Sequence, residues 1–370
     1  MRPVLAERGI VLPALTRGER AHYRFAKELR PKDQKAGAPA SKELLSAIQQ
    51  LDAVKTPLLT CETFMASDPW ALNDRFGQIS ARRPKFLFYM RPHASLLASH
   101  YLQLVKTGIH SEPVAGIFPQ LMRLPPMRFI NIVEAYADEF GDESMTVREF
   151  SRKRLISGSI VADFWNAFDL PQDLLETALA SETVANPTPT LESSVLLRAW
   201  RLHLVQQLKV DDHPGMALQP VSTFFRALTD CDLPGQKFRL PVAVQEELAE
   251  TWEGPRKNFA MRWFQLPPTG DWLKEGIVAP SSPQALPFDA VEAATISAAK
   301  RMSRLEMTHQ SAVMSGFLSS LPVEAEGGAR MIDIAALDQR ISALPRAAHR
   351  FLPRPAARAV SAHLRPEPTR

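Results

Sequence analysis

Cysteine is almost missing from this chain. Only Cys61 and Cys231 occur in 370 residues, far apart and in no C-x-x-C arrangement. That pattern argues against a disulfide scaffold and a cysteine zinc site, and it suits a reducing, cytoplasmic compartment. Long hydrophobic runs are missing too. No stretch of 18 apolar residues exists, so no transmembrane helix and no membrane span are expected. The opening MRPVLAERGIVLP lacks the basic, apolar, small-residue order of a signal peptide. Glycine signatures that cradle phosphates are also absent: neither G-x-x-x-x-G-K-[ST], nor K-T-G-[ST]-[ST], nor G-x-G-x-x-G occurs. There is no Ser-His-Asp order. His93, His100 and His110 have no metal-ligand spacing with a Cys or Asp cluster, so no metal is expected. A net positive charge is missing outside one end. The net charge is +4, but residues 341–370 alone hold six arginines and one glutamate. The basic character describes a tail, and nucleic acid is not expected as a partner on charge alone.

What is present reads as α/β. Apolar residues make up 45% of the chain, enough for a sizeable core, and the 31 prolines concentrate outside the periodic segments. Residues 2–9 read as a helix end closed by Gly9, and SKELLSAIQQLDAV (41–54) as a helix. PLLTC (57–61) reads as a short buried strand, DPWALNDRFGQISARR (68–83) as a helix with an Asp-Pro start, and KFLFYM (85–90) as a strand covered on both faces. Strand, helix and strand in that order predict a right-handed βαβ unit with parallel strands. A helix follows from His93 to Thr107 and stops at Gly108. Then come a helix at 128–141, a strand at 144–150 and helices at 157–171, 191–208 and 241–264. The expected architecture is a parallel sheet with flanking helices over residues 1–185. Residues 186–280 are expected as a helical C-terminal part of the same domain. Residues 281–370 read as an Ala/Pro/Arg-rich, largely flexible tail with one amphipathic stretch at 289–307.

Two polar residues follow directly on predicted strands: Glu62 after PLLTC and Arg91 after KFLFYM. Parallel sheets bind ligands beyond the carboxyl ends of their strands. With strands about 4.8 Å apart, the two side chains are expected within about 5–10 Å of each other. The helix after Arg91 points its N-terminus at the same crevice, which favours an anion. Arg91 offers a planar fork for bidentate contact with a phosphate. Ser95 and Ser99, four residues apart, share a helix face and supply hydroxyl donors. The alternative reading of these residues is plain: a solvated arginine at a strand end and an acid capping a helix.

The stretches TCETF and KFLFYMRPHASLLASHYLQLVKTG, continued by FGDESMTVREFSRKRLISGSIVADF and NPTPTLESSVLLRAW, resemble the bacterial branch of the sulfotransferase family. The resemblance covers roughly residues 1–270. It implies a P-loop NTPase-like α/β fold. It also implies transfer of a sulfuryl group from 3′-phosphoadenosine 5′-phosphosulfate (PAPS) to a hydroxyl or amine of a glycan-like acceptor. Arg91 and Ser99 would hold the 3′-phosphate of the cofactor, and Glu62 would match the general base of the glycan N-sulfating members.

One departure stands out. The family normally begins with a strand and a Gly/Lys/Thr/Ser-rich loop that cradles the 5′-phosphosulfate, and this sequence starts inside the helix that follows such a loop. VKTG at 105–108 closes a helix and does not replace it. Two readings stay open: Met1 is internal to a longer frame, or the chain is a remnant that no longer catalyses. The retained acid, arginine and serine favour the first. Beyond these lie two further alternatives, an inactive homologue acting as a binding protein and a scaffold or nucleic-acid binder led by the basic tail.

Of the other residues weighed, His22 reads as a packing histidine and Lys106 as a favourable cation near a helix C-terminus. EGPRKNF (253–259) reads as a solvated basic loop, and most of the tryptophans read as core.

Overall fold

A computed structural model describes residues 2–13, 22–30, 39–51, 56–77, 83–180, 187–208, 215–265, 276–301, 307–326 and 328–345. The chain is mixed α/β and mostly helical. It divides into two units. The first comprises Met1–Pro92, Arg123–Thr183 and Trp252–Lys274; the second comprises His93–Met122, Val184–Thr251 and Glu275–Arg370. This division differs from the expected succession of an α/β core, a helical part and a tail. Among the described residues no helix is long and apolar enough to cross a membrane.

The first unit holds two separate parallel pairs. β1 (Ile10–Val11) pairs with β2 (Thr56–Pro57), and β3 (Phe86–Met90) pairs with β4 (Met145–Glu149) in register from Phe86 opposite Met145 to Met90 opposite Glu149. The expected strand at 57–61 is therefore cut short, and β2 and β3 do not pair with each other. A side chain explains the shortening. The Thr60 N–H donates to Nδ1 of His22 at 3.1 Å, so Nδ1 is unprotonated and Nε2–H donates to the Pro13 carbonyl at 2.9 Å. His22 thus takes backbone groups that a longer strand would place in a ladder, and its role is packing, as expected.

β3 alternates its faces, and Phe86 packs its ring 5.1 Å from Tyr136 and 4.7 Å from Phe140. Those two come from the helix Phe129–Phe140, which buries Ile130, Val133, Tyr136, Ala137 and Phe140 at helical spacing. The helix stops where Gly141 adopts a φ of 85°, a left-handed conformation that costs glycine little. A charged pair, Arg262 to Asp142 at 2.7 Å, ties the end of the helix Val242–Phe264 to the turn before β4. That helix runs unbroken through EGPRKNF. The predicted loop is a helical turn in which Lys257 pairs with Glu253 at 2.7 Å, four residues apart, despite Pro255.

The second unit centres on the helix Leu191–Leu208. Trp200 is fully buried, its ring 5.2 Å from Phe224 and 4.9 Å from Phe317. The same helix buries two arginines. Arg201 donates Nε–H to the Gly108 carbonyl and an Nη1–H to Ser111 Oγ, each at 2.7 Å. Arg198 donates Nε–H to the Ser111 carbonyl at 2.8 Å and Nη1–H to Asp338 at 2.6 Å. Together they clamp the turn after the helix His93–Lys106. Lys106 is held here too, donating to the Pro187 carbonyl at 3.0 Å and lying over the Phe225 ring.

The flexible-tail reading of 281–370 is corrected over most of its described length. β5 (Leu286–Pro287), β6 (Val323–Glu326) and β7 (Ala329–Ile332) form an antiparallel sheet in the order β5–β7–β6. The helices Phe288–Lys300, Met307–Ser320 and Ile334–Ser342 accompany it. Alanine was the misleading signal. Ala294, Ala298 and Ala299 are fully buried, so the small residues that looked like low-complexity text allow close helix packing. The last arginine-rich residues, 346–370, lie outside the described residues.

Candidate functional site

The carboxyl ends of β3 and β4 lie side by side because the strands run parallel. The Phe150 N–H donates to the Met90 carbonyl at 2.7 Å and extends the pairing one step beyond β4. Arg91 is the next residue after that carbonyl. Its guanidinium lies over the Phe150 ring, 4.1 Å from the centroid, and the Tyr89 ring meets Phe150 edge-on at 6.1 Å. Arg91 is partly buried, and that burial lowers its pKa from the ordinary arginine value. It forms no hydrogen bond or ion pair with any described residue. Its recorded contact is the aromatic face, which leaves the in-plane N–H donors for another acceptor.

Beside it sits a carboxylate that the sequence reading missed. Asp163 is fully buried and accepts from Tyr89 Oη–H at 2.9 Å and from the Ile156 N–H at 3.2 Å. Arg148 of β4 brings Nε to 3.8 Å from the same carboxylate. Burial first, then the hydrogen bond to Asp163, raises the Tyr89 pKa far above the ordinary tyrosine value, so Tyr89 is a fixed donor. Asp163 is held in place by a local device. Ser159 accepts from the Val161 and Ala162 N–H groups and caps the helix Ile160–Ala167 that carries Asp163 in its first turn. One sequence signal existed: Tyr89 is a polar group inside the otherwise apolar β3, and such a group needs a partner when buried.

The four predicted site residues are not brought together within one unit. Arg91 and Glu62 belong to the first unit, Ser95 and Ser99 to the second. Glu62 opens the 3₁₀ turn Glu62–Ala66, and not directly after a strand as expected, because β2 ends at Pro57; its side chain lies outside the described residues. Ser95 and Ser99 stand four residues apart in the helix His93–Lys106, both partly buried. Among the described residues no group of three or more His, Cys, Asp or Glu is arranged to hold a metal ion.

No protein family, curated protein or solved structure matches the chain. The functional reading therefore rests on residues and geometry. The β3–β4 end combines a partly buried, stacked cation with open donors and a Tyr–Asp–Arg cluster that links both strands to Asp163, an arrangement that can accept an anion.

Proposed function

We infer that the protein is a sulfotransferase homologue that binds PAPS and transfers its sulfuryl group to a hydroxyl or amine of a glycan-like acceptor. The observation that carries this reading is Arg91: a partly buried guanidinium at the carboxyl end of a parallel strand, stacked on Phe150 and bound to no described acid. A desolvated arginine without a counter-ion recovers its lost solvation when an anion arrives, and a phosphate matches its fork bidentately. Arg91 holds the 3′-phosphate in this reading. The 3′-phosphate is remote from the sulfur, so its binding energy positions the reacting end rather than altering its chemistry. Glu62 takes the acceptor's proton as the sulfuryl group is attacked, which requires a carboxylate within hydrogen-bond reach of the acceptor.

The test uses radiolabelled PAPS with a panel of amino and hydroxyl sugars. Transfer that survives nowhere in the panel, while adenosine 3′,5′-bisphosphate still binds, leaves a nucleotide-binding homologue without catalysis. Where transfer occurs, Glu62→Gln is expected to abolish it and to leave nucleotide affinity unchanged. Equal transfer by the variant removes Glu62 from the mechanism.

A further inference from the structure

A groove of about 500 Å³ in the first unit runs along β4. It is lined by all five residues of β4, by Arg154 and by Trp263 and Phe264 from the end of the helix Val242–Phe264. Side chains alternate across a strand, so a groove on one face would touch every second residue. A groove touching five consecutive residues runs along the strand's edge. The direction of the backbone groups agrees. The Phe150 N–H points to β3, so by alternation Thr146 and Arg148 also bond toward β3, and Met145, Val147 and Glu149 turn outward. The Met145 N–H is taken by the Asp142 carbonyl, and the Glu149 carbonyl accepts from the Ser151 N–H at 3.0 Å. The Met145 carbonyl, both backbone groups of Val147 and the Glu149 N–H have no partner among the described residues.

Side chains in the groove repeat the pattern. Arg148 Nε, Glu149 Oε2 and Trp263 Nε1 are buried and make no hydrogen bond. Burial raises the Glu149 pKa, and the nearest cation, Arg154 Nε, stands 3.7 Å away. Arg148 Nε lies 3.8 Å from Asp163 and Glu149 Oε2 lies 3.7 Å from Arg154, ion pairs that fall short of hydrogen bonds, and Trp263 Nε1 has no hydrogen bond. Buried polar atoms without hydrogen bonds are costly, so a ligand that supplies them to these three atoms is favoured. Two are donors and one is an acceptor, which narrows the ligand. A phosphate or sulfate would satisfy the donors and meet Glu149 Oε2 as a like charge. An apolar molecule would satisfy none of them. A polypeptide main chain offers donors and acceptors in alternation, at the spacing of the open edge.

We propose that this groove is a peptide-binding site, in which an extended segment of a partner protein adds to β4 as the third strand of the β3–β4 sheet. Addition of this kind gives affinity through main-chain bonds and selectivity through alternate side chains. Here the alternate side chains would meet Met145, Trp263 and Phe264. The proposal does not depend on the nucleotide reading. A five-residue strand spans about 16 Å, so a ten-residue peptide covers it.

The experiment screens the full chain against a synthetic array of ten-residue peptides and then rescans the best binder with N-methyl groups at each amide. Strand addition predicts that N-methylation weakens binding at least tenfold at every second position and little at those between. It also predicts loss of binding in Val147→Pro, which removes the outward N–H but no ladder bond to β3, and weakening in Trp263→Phe. If Val147→Pro fails to fold, the N-methyl scan on the unaltered protein decides alone. The proposal is overturned if no peptide binds, if the scan shows no period of two, or if inorganic phosphate displaces the peptide from the groove.

Discussion

Acid should destabilise the second unit through one histidine. His110 follows Gly108 in the turn clamped by Arg198 and Arg201, and it is buried with Nδ1 unpaired. Burial first, then the nearby Arg201 and His100, pushes its pKa down from 6.5 to about 4. The native state therefore keeps His110 neutral while the unfolded chain takes up a proton. Stability is at its full value above pH 6.5 and is lost as the pH falls from there toward 4. The two pKa values correspond to a loss of about 2 kcal/mol at pH 5. Urea unfolding at pH 7.5 and 5.0, followed by hydrogen exchange in the helix Leu191–Leu208, measures it. Other groups titrate in the same window, including His100 and His203, both also lowered by burial. The comparison with His110→Gln subtracts them. The unaltered protein should lose about 2 kcal/mol more than the variant between the two pH values. Equal losses, within about 0.5 kcal/mol, would refute the reasoning.

Removal of the buried Arg201 fork should be among the costliest single changes. Arg201→Ala strands the Gly108 carbonyl, removes a donor to Ser111 Oγ and takes a nearby cation from buried Glu112, so a loss of about 3–5 kcal/mol is expected in urea. Gly108→Ala adds a Cβ at a φ of 76° and 2.9 Å from Val221 Cβ, and about 2 kcal/mol or more should be lost. Combining it with Val221→Ala relieves the clash, so the double variant should lose less than the sum of the single losses; strict additivity would contradict the contact. Ser159→Ala removes the cap of the helix that carries Asp163 and should cost about 1 kcal/mol, read as faster hydrogen exchange at Val161 and Ala162.

Elements with a strong internal period were legible in the sequence. β3 and β4, the helix Phe129–Phe140 with its Gly141 stop, and the helix Leu191–Leu208 appear within a few residues of where the pattern puts them. Failures came where tertiary context overrode composition. PLLTC is apolar enough for a strand, yet His22, 38 residues earlier, takes the Thr60 N–H. Gly254 and Pro255 suggested a loop, yet the helix continues through them. The alanines after 290 suggested a tail, but burial is decided by what packs on a helix face, which one sequence does not reveal. At the site, Arg91 was visible because it ends an apolar run. Asp163 and Arg148 were not, because their importance lies in meeting Tyr89 from segments 74 and 59 residues away.

The central claim is that Arg91 receives a 3′-phosphate. Titration calorimetry with adenosine 3′,5′-bisphosphate and with adenosine 5′-monophosphate, on the unaltered chain and on Arg91→Ala, isolates that contact. The claim predicts that the bisphosphate binds about 10–100-fold tighter than the monophosphate, as one charge-assisted bidentate contact should give. It further predicts that this advantage disappears in Arg91→Ala while monophosphate affinity is unchanged. An equal preference in both proteins, or no bisphosphate binding by the unaltered chain, would contradict it.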